Sequence, residues 1–322
     1  MRRTSARFRL GSAVAVMTAV VTLGGLLTAT SGVAAEPVET VAVGTPTGFG
    51  RATTGGAGGS VVTVTSASAF ASAASSSTTQ EIRVSGTITL SSMTRVASNK
   101  TIIGVGSNAR IQGYGLNIRQ ANNVIVQNIT FAGSADDGIN VEYSTNVWVD
   151  HNNFTGHYDG ALDIKRASDN ITVSWNRFYG QDKNSLLGHS DDNSSEDSGR
   201  LRVTYHHNWY DGTNQRNPRV RFGNPVHVYN NYYSNIGSYG VASTTNAGVL
   251  VEGNYFENTD DPFHRGEGSS PAGALVARNN HFVNSGTGQS GGSVAGIPYS
   301  YSVDTPSGVK SSVTSGAGVG RI

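Results

Sequence analysis

The 322-residue chain contains no cysteine. That one absence excludes a disulfide scaffold, cysteine–zinc sites and a thiol nucleophile. Charge is scarce too, at 14% of residues. Residues 1–35 hold four of the 23 Lys and Arg and none of the 22 Asp and Glu, so the remainder is slightly acidic. Such a balance gives no global attraction for nucleic acid, and an anionic partner has to be caught locally. No apolar stretch of helix length occurs after about residue 27. No nucleotide loop, zinc motif or serine triad stands out, and the Gly-rich pieces read as turns.

What is present begins with an export signal. Arg2, Arg3, Arg7 and Arg9 precede an apolar run from Leu10 to about Leu27, and Val33-Ala34-Ala35 stands before Glu36. That is the basic, apolar and small-residue order of a secretory signal peptide. The expectation is a signal over 1–35 and a secreted, extracellular, monomeric protein of one domain over 36–322, with no membrane segment once mature.

A repeat runs through the middle of that domain. Val124 and Val126 precede Phe131; Val147 and Val149 precede Phe154; Ile171 and Val173 precede Phe178; Val203 and Tyr205 precede Tyr210. The pattern continues to Tyr233, Phe256 and Phe282, with the second apolar residue always five positions before the aromatic. From Phe154 onward the residue two before the aromatic is asparagine: Asn152, Asn176, Asn208, Asn231, Asn254 and Asn280. Apolar residues at i and i+2 share one face of a strand. A short strand returning about every 23 residues, with no helix between, predicts an all-β parallel β-solenoid with stacked aromatics inside. The coil core is expected over about 80–283, with a short helix at Ala67–Ser76 capping one end and residues 284–322 packing on the core. Asparagine at a recurrent turn suits the left-handed conformation. The step from Phe178 to Tyr210 is 32 residues, and its extra residues should form a loop on one flank.

Carboxylates and cations gather beside these coils. Asp137 lies almost one coil before Asp159, and Asp163 follows, so three carboxylates should meet on adjacent turns. Crowded carboxylates repel unless a cation lies among them, and an all-oxygen donor set suits Ca²⁺. Ordinary turn aspartates are the alternative. Arg216, Arg219 and Arg221, with Lys165 and Lys183, form a basic group on the following coils. A solvated basic loop is the alternative there. Together, an acidic cation site beside a basic patch is what binding a polyanion through bridging cations requires.

At these residues the chain resembles the pectate lyases of polysaccharide lyase family one. The resemblance is carried by Val147-Trp148-Val149-Asp150-His151, Asp163-Ile164-Lys165, Leu186-Leu187-Gly188 with Asp191, and Arg216, Pro218 and Arg221 at their spacing. It spans about Gly48 to Arg321. The resemblance implies a right-handed parallel β-helix and calcium-dependent β-elimination of polygalacturonate. It implies Asp137, Asp159 and Asp163 as Ca²⁺ ligands, Lys165, Lys183 and Arg221 as substrate-binding groups, and Arg216 as the catalytic base. Some members carry an aspartate where Ala135 falls and a glutamate where Asp159 falls; Asp136 stands next to the gap. Asp150 and His151 read as a core or turn network. An arginine gives up its proton reluctantly, so an alkaline optimum is expected. Three rivals remain at this level. They are a β-helix hydrolase using two carboxyls, a pectin lyase acting without calcium, and a non-catalytic pectin-binding solenoid.

Overall fold

The computed structural model describes residues 44–322, and the expected signal over 1–35 lies outside the described residues. The chain winds into coils whose strands stack in three parallel sheets. The first face has ten strands, from Ser60–Val64 to Ala274–Arg278. The second has nine, from Thr87–Thr89 to His281–Val283, and the third has eight, from Thr94–Arg95 to Phe263–Arg265. One coil shows the plan: Thr145–Asp150, Asn153–Thr155, then Leu162–Lys165, each paired in parallel with its counterpart one coil on.

The repeat residues do what their spacing requires. Val147 and Val149 pair with Ile171 and Val173, and all four are buried. The aromatics form one stack inside the second face. Phe131, Phe154, Phe178, Tyr210, Tyr233, Phe256 and Phe282 follow each other with ring centroids 5.2, 5.0, 5.1, 4.8, 4.5 and 5.5 Å apart.

The asparagines form a ladder, but not by adopting the left-handed conformation. The residue before each rung does that: His151, Trp175, His207, Asn230, Gly253 and Asn279 all have φ between 51° and 66°. The sharp turn frees each asparagine side chain to bond the next coil. Asn176 Oδ1 accepts from Asn152 N at 2.9 Å, and Asn152 Nδ2 donates to Val126 O at 2.9 Å. The same pattern recurs up to Asn280, so backbone groups at the corner are satisfied inside the core.

The helix Ala67–Ser75 closes the first end. Ser66 caps it through Oγ, and Phe70 and Ala74 are buried against the first coils. At the other terminus, the helix Val309–Gly316 buries Val309 and Val313 beside Tyr232 and Tyr255, on the flank of the stack.

Candidate active site

The third face holds the predicted residues. Its strands alternate: Leu162 and Ile164 face the core, so Asp163 and Lys165 face out. The same alternation around buried Val220 turns Arg219 and Arg221 outward two strands away. Asp137, Asp159 and Arg216 come from the turns that enter this face.

Asp137 and Asp163 are both buried, at 4% and 1% exposure. A methyl group added at Gly160 would stand 2.2 Å from Asp163 Oδ1 and 3.0 Å from Asp137 Oδ1, so both oxygens flank the space that this glycine leaves open. Lys165 Nζ lies 3.3 Å from Asp137 Oδ2 and 3.6 Å from Asp163 Oδ2. The N–H of Gly160 donates to Asp137 at 2.8 Å, and that of Leu186 to Asp163 at 3.0 Å. Even so, burial and the neighbouring Asp163 push the Asp137 carboxyl up to about 7. Burial also raises Asp163, although Lys165 opposes it. Lys165 itself is pulled down by burial, but the two carboxylates outweigh that and raise it.

Asp159 is near but not joined to that pair. Its Oδ1 accepts from Lys183 Nζ at 3.0 Å and lies 3.9 Å from Arg216 Nη1. Among the described residues, no three His, Asp or Glu groups close into a metal cage. The closest pairing is therefore Asp137 with Asp163, bridged by an ammonium, rather than Asp137 with Asp159 as stacking suggested. The donor set still fits a hard cation. Two buried carboxylates with an unfavourable surplus of negative charge face one opening, and a third lies beside them.

Arg216 stands in the left-handed region at φ 59°, uncommon for a side chain of this size. Its Nε is buried without a hydrogen-bond partner, and its Nη1 is the atom near Asp159. Arg221 is held: its Nε donates to Asp191 Oδ1 at 2.6 Å. Gly188 makes room for it, since a Cβ there would meet Arg221 Cβ at 2.7 Å. All seven residues singled out by sequence thus gather on one face.

Three further contributors were given no site role by the sequence reading. Asp191, from the 32-residue step, also accepts from Thr245 and Ser270. Burial would raise it, but these bonds and Arg221 hold it down to about 2. Arg219 donates to Ser270 Oγ at 2.7 Å and its Nε is left without a partner. Gln181 bridges the turn that carries Asp159, donating to its carbonyl at 2.9 Å. Asp191 was visible as part of a motif and Arg219 as part of the basic group, whereas Gln181 carried no signal beyond its place in the inserted step.

Asp150 and His151 lie elsewhere, on the first face. Asp150 accepts from Gln127, Ser174 and His151, and His151 stacks on Trp175 at 5.8 Å. A cavity of about 240 Å³ opens there between Trp148, Trp175 and His206. It is lined by none of the clustered cations, which all lie on the third face.

The pectate lyase family model matches residues 13–322. The chain belongs to the pectate lyase family. A pectate trisaccharide-lyase from Bacillus licheniformis is 36% identical over 292 residues, covering 84% of either chain. Pectate lyase A from Emericella nidulans is 37% identical over 233 residues, 69% of each. A solved pectate lyase from Bacillus sp. N165, in complex with trigalacturonate, is 32% identical with a TM-score of 0.77, over 86% of this chain and 99% of that one. The lyase is therefore a polysaccharide-degrading enzyme on a parallel β-helix. Its hydrolase and non-catalytic rivals fall away, and the clustered cations suit a pectate substrate.

Proposed function

We propose that this lyase is secreted and cleaves polygalacturonate by calcium-dependent β-elimination, with Arg216 as base. The observation that carries the proposal is the single cluster in which Arg216 and Lys183 share Asp159 beside the Asp137–Lys165–Asp163 group. Asp137, Asp159 and Asp163 would hold Ca²⁺, which when bound neutralises a uronate carboxylate and so acidifies the adjacent C5–H. Lys165, Lys183 and Arg221 orient and neutralise substrate carboxylates. An unprotonated guanidine at Arg216 takes the C5 proton. The electron pair forms the C4–C5 double bond, the C4–O bond breaks, and the departing oxygen collects a proton. No water is added, so the new end is an unsaturated uronate.

The test is ultraviolet absorbance of the unsaturated product on polygalacturonate and on methylated pectin, each with calcium and with chelator. Signal on polygalacturonate that chelator abolishes supports the proposal. Signal on methylated pectin that chelator leaves intact favours a pectin lyase. Arg216→Lys is expected to lose most activity while still binding substrate; full activity at a neutral optimum would remove Arg216 as base.

A further inference from the structure

The turn Gly156–Gly160 links the strand Asn153–Thr155 of the second face to Leu162–Lys165 of the third. It therefore forms the rim of the face that carries the clustered charges. Tyr158 sits in this turn with 83% of its surface exposed. Among the described residues only Val61 and Ile322 join it as exposed large apolar or aromatic side chains, and neither is near the site in sequence. Burying a ring of this size stabilises a fold by about 1.5–3 kcal/mol. Here that gain is left unused.

The exposure is not looseness of the backbone. Tyr158 N donates to Ser134 O at 2.9 Å. His157 N donates to Gln181 Oε1 at 2.8 Å, and Gln181 Nε2 returns to Asp159 O at 2.9 Å. Gly160 N is fixed on Asp137 at 2.8 Å. His157, Asp159 and Gly160 are thus each tied to a neighbouring coil. The Tyr158 ring and hydroxyl have no hydrogen-bond or ring partner among the described residues. The next residue in the chain is Asp159, whose carboxylate meets Lys183 and Arg216.

A free aromatic ring on a fixed turn beside cationic groups matches the chemistry of an acidic sugar. Its carboxylate goes to the cations, and its ring offers a C–H face that packs on an aromatic surface at little entropic cost. We propose that Tyr158 is a stacking platform for one galacturonate ring of the bound chain, at the subsite beside Asp159. It is a positioning residue for substrate and takes no proton. This rests on the proposed action on polygalacturonate.

Steady-state kinetics of the full chain on trigalacturonate and polygalacturonate test it. Tyr158→Ala is expected to raise KM about tenfold with kcat changed less than about twofold, the signature of lost uniform binding. Tyr158→Phe keeps the ring and is expected to restore KM; Tyr158→Leu is not. A second readout needs no turnover. In Tyr158→Trp on the Arg216→Lys background, trigalacturonate added with calcium should shift the emission of the newly introduced indole relative to Arg216→Lys alone. Wild-type KM in Tyr158→Ala, or an emission unmoved by saturating trigalacturonate, would overturn the platform while leaving the lyase reading intact. A parent protein that releases no unsaturated product from polygalacturonate would overturn both.

Discussion

Asp191 Oδ1 receives the Arg221 Nε–H at 2.6 Å, although the two residues are 30 positions apart. The carboxylate also receives Thr245 and Ser270, and Ser270 in turn receives Arg219. One residue of the long step thus fixes two outward arginines of the third face. Charge-assisted hydrogen bonds of this kind contribute about 1.5–3 kcal/mol each. Asp191→Asn keeps the shape and removes the charge, so kcat/KM is expected to fall about tenfold or more. Because Asp191 is held near pKa 2, it stays ionised at neutral and alkaline pH, and the wild-type clamp should not titrate across the assay range. An unchanged kcat/KM in Asp191→Asn would show that the sheet alone sets Arg221.

The asparagine ladder makes a stability prediction. Asn208 Oδ1 accepts from Asn176 N and Nδ2, and its Nδ2 donates to Val173 O and Asn231 Oδ1, all within 2.9–3.1 Å and all buried. Asn208→Ala strips partners from both neighbouring coils at once. Each buried polar group left unmade costs about 1–3 kcal/mol, so unfolding free energy should drop by about 3 kcal/mol or more. Urea denaturation measures this. A drop no larger than that of a surface asparagine such as Asn258→Ala would mean that water replaces the rung.

The same ladder shows why the fold was legible and parts of the site were not. A residue repeated at one offset reports a periodic environment, and the solenoid follows from the rungs and rings alone. The outward alternation of Asp163 with Lys165 was legible because strands have a period of two. Which carboxylates pair was not: Asp137 meets Asp163 rather than Asp159 because Lys165 reaches between those two and Lys183 draws Asp159 aside. Long flexible side chains decide that, and no spacing encodes it. Nor could spacing reveal that the left-handed residue precedes each asparagine, since its occupants vary from coil to coil and include Trp175, an unusual side chain for that conformation. That Asp191 clamps Arg221 was not legible, because its other partners Thr245 and Ser270 come from two and three coils further on.

A histidine cluster predicts acid sensitivity. His206 and His207 contact through Nδ1 at 2.8 Å, His227 Nδ1 bonds Tyr299 OH at 2.8 Å, and His207 reaches Asp304 at 3.2 Å. Burial lowers all three; adjacent His207 and His227 lower His206 further, whereas Asp304 and Glu252 only partly restore His207 and His227. The folded state thus keeps them neutral where the unfolded chain, with histidine near 6.5, takes up protons. Stability contributed this way is full above about pH 6.5 and is lost as pH falls below it, by up to about 1.36 kcal/mol per pH unit for each histidine. Thermal unfolding at several pH values should show Tm falling on the acid side, with a shallower fall in His206→Gln. A Tm independent of pH between about 7 and 5 would place these protons elsewhere.

Lys183 and cation binding should oppose each other at Asp159. Asp159 Oδ1 is engaged by Lys183 Nζ at 3.0 Å, with both side chains well exposed, at 43% and 33%. A cation drawing on all three carboxylates has to take this oxygen from the lysine. Exposed ion pairs contribute about 0.2–1 kcal/mol, so Lys183→Ala should tighten calcium binding by only about two- to fivefold. The same variant removes a cation that we assign to the substrate, so KM for polygalacturonate should rise. Calorimetric titration of calcium and steady-state kinetics therefore move in opposite directions in one variant. Asp159→Asn weakens both, because it removes a ligand without releasing one. If Lys183→Ala weakened calcium binding, the lysine would be holding Asp159 in place for the cation rather than competing with it, and the order of events at the site would have to be reversed.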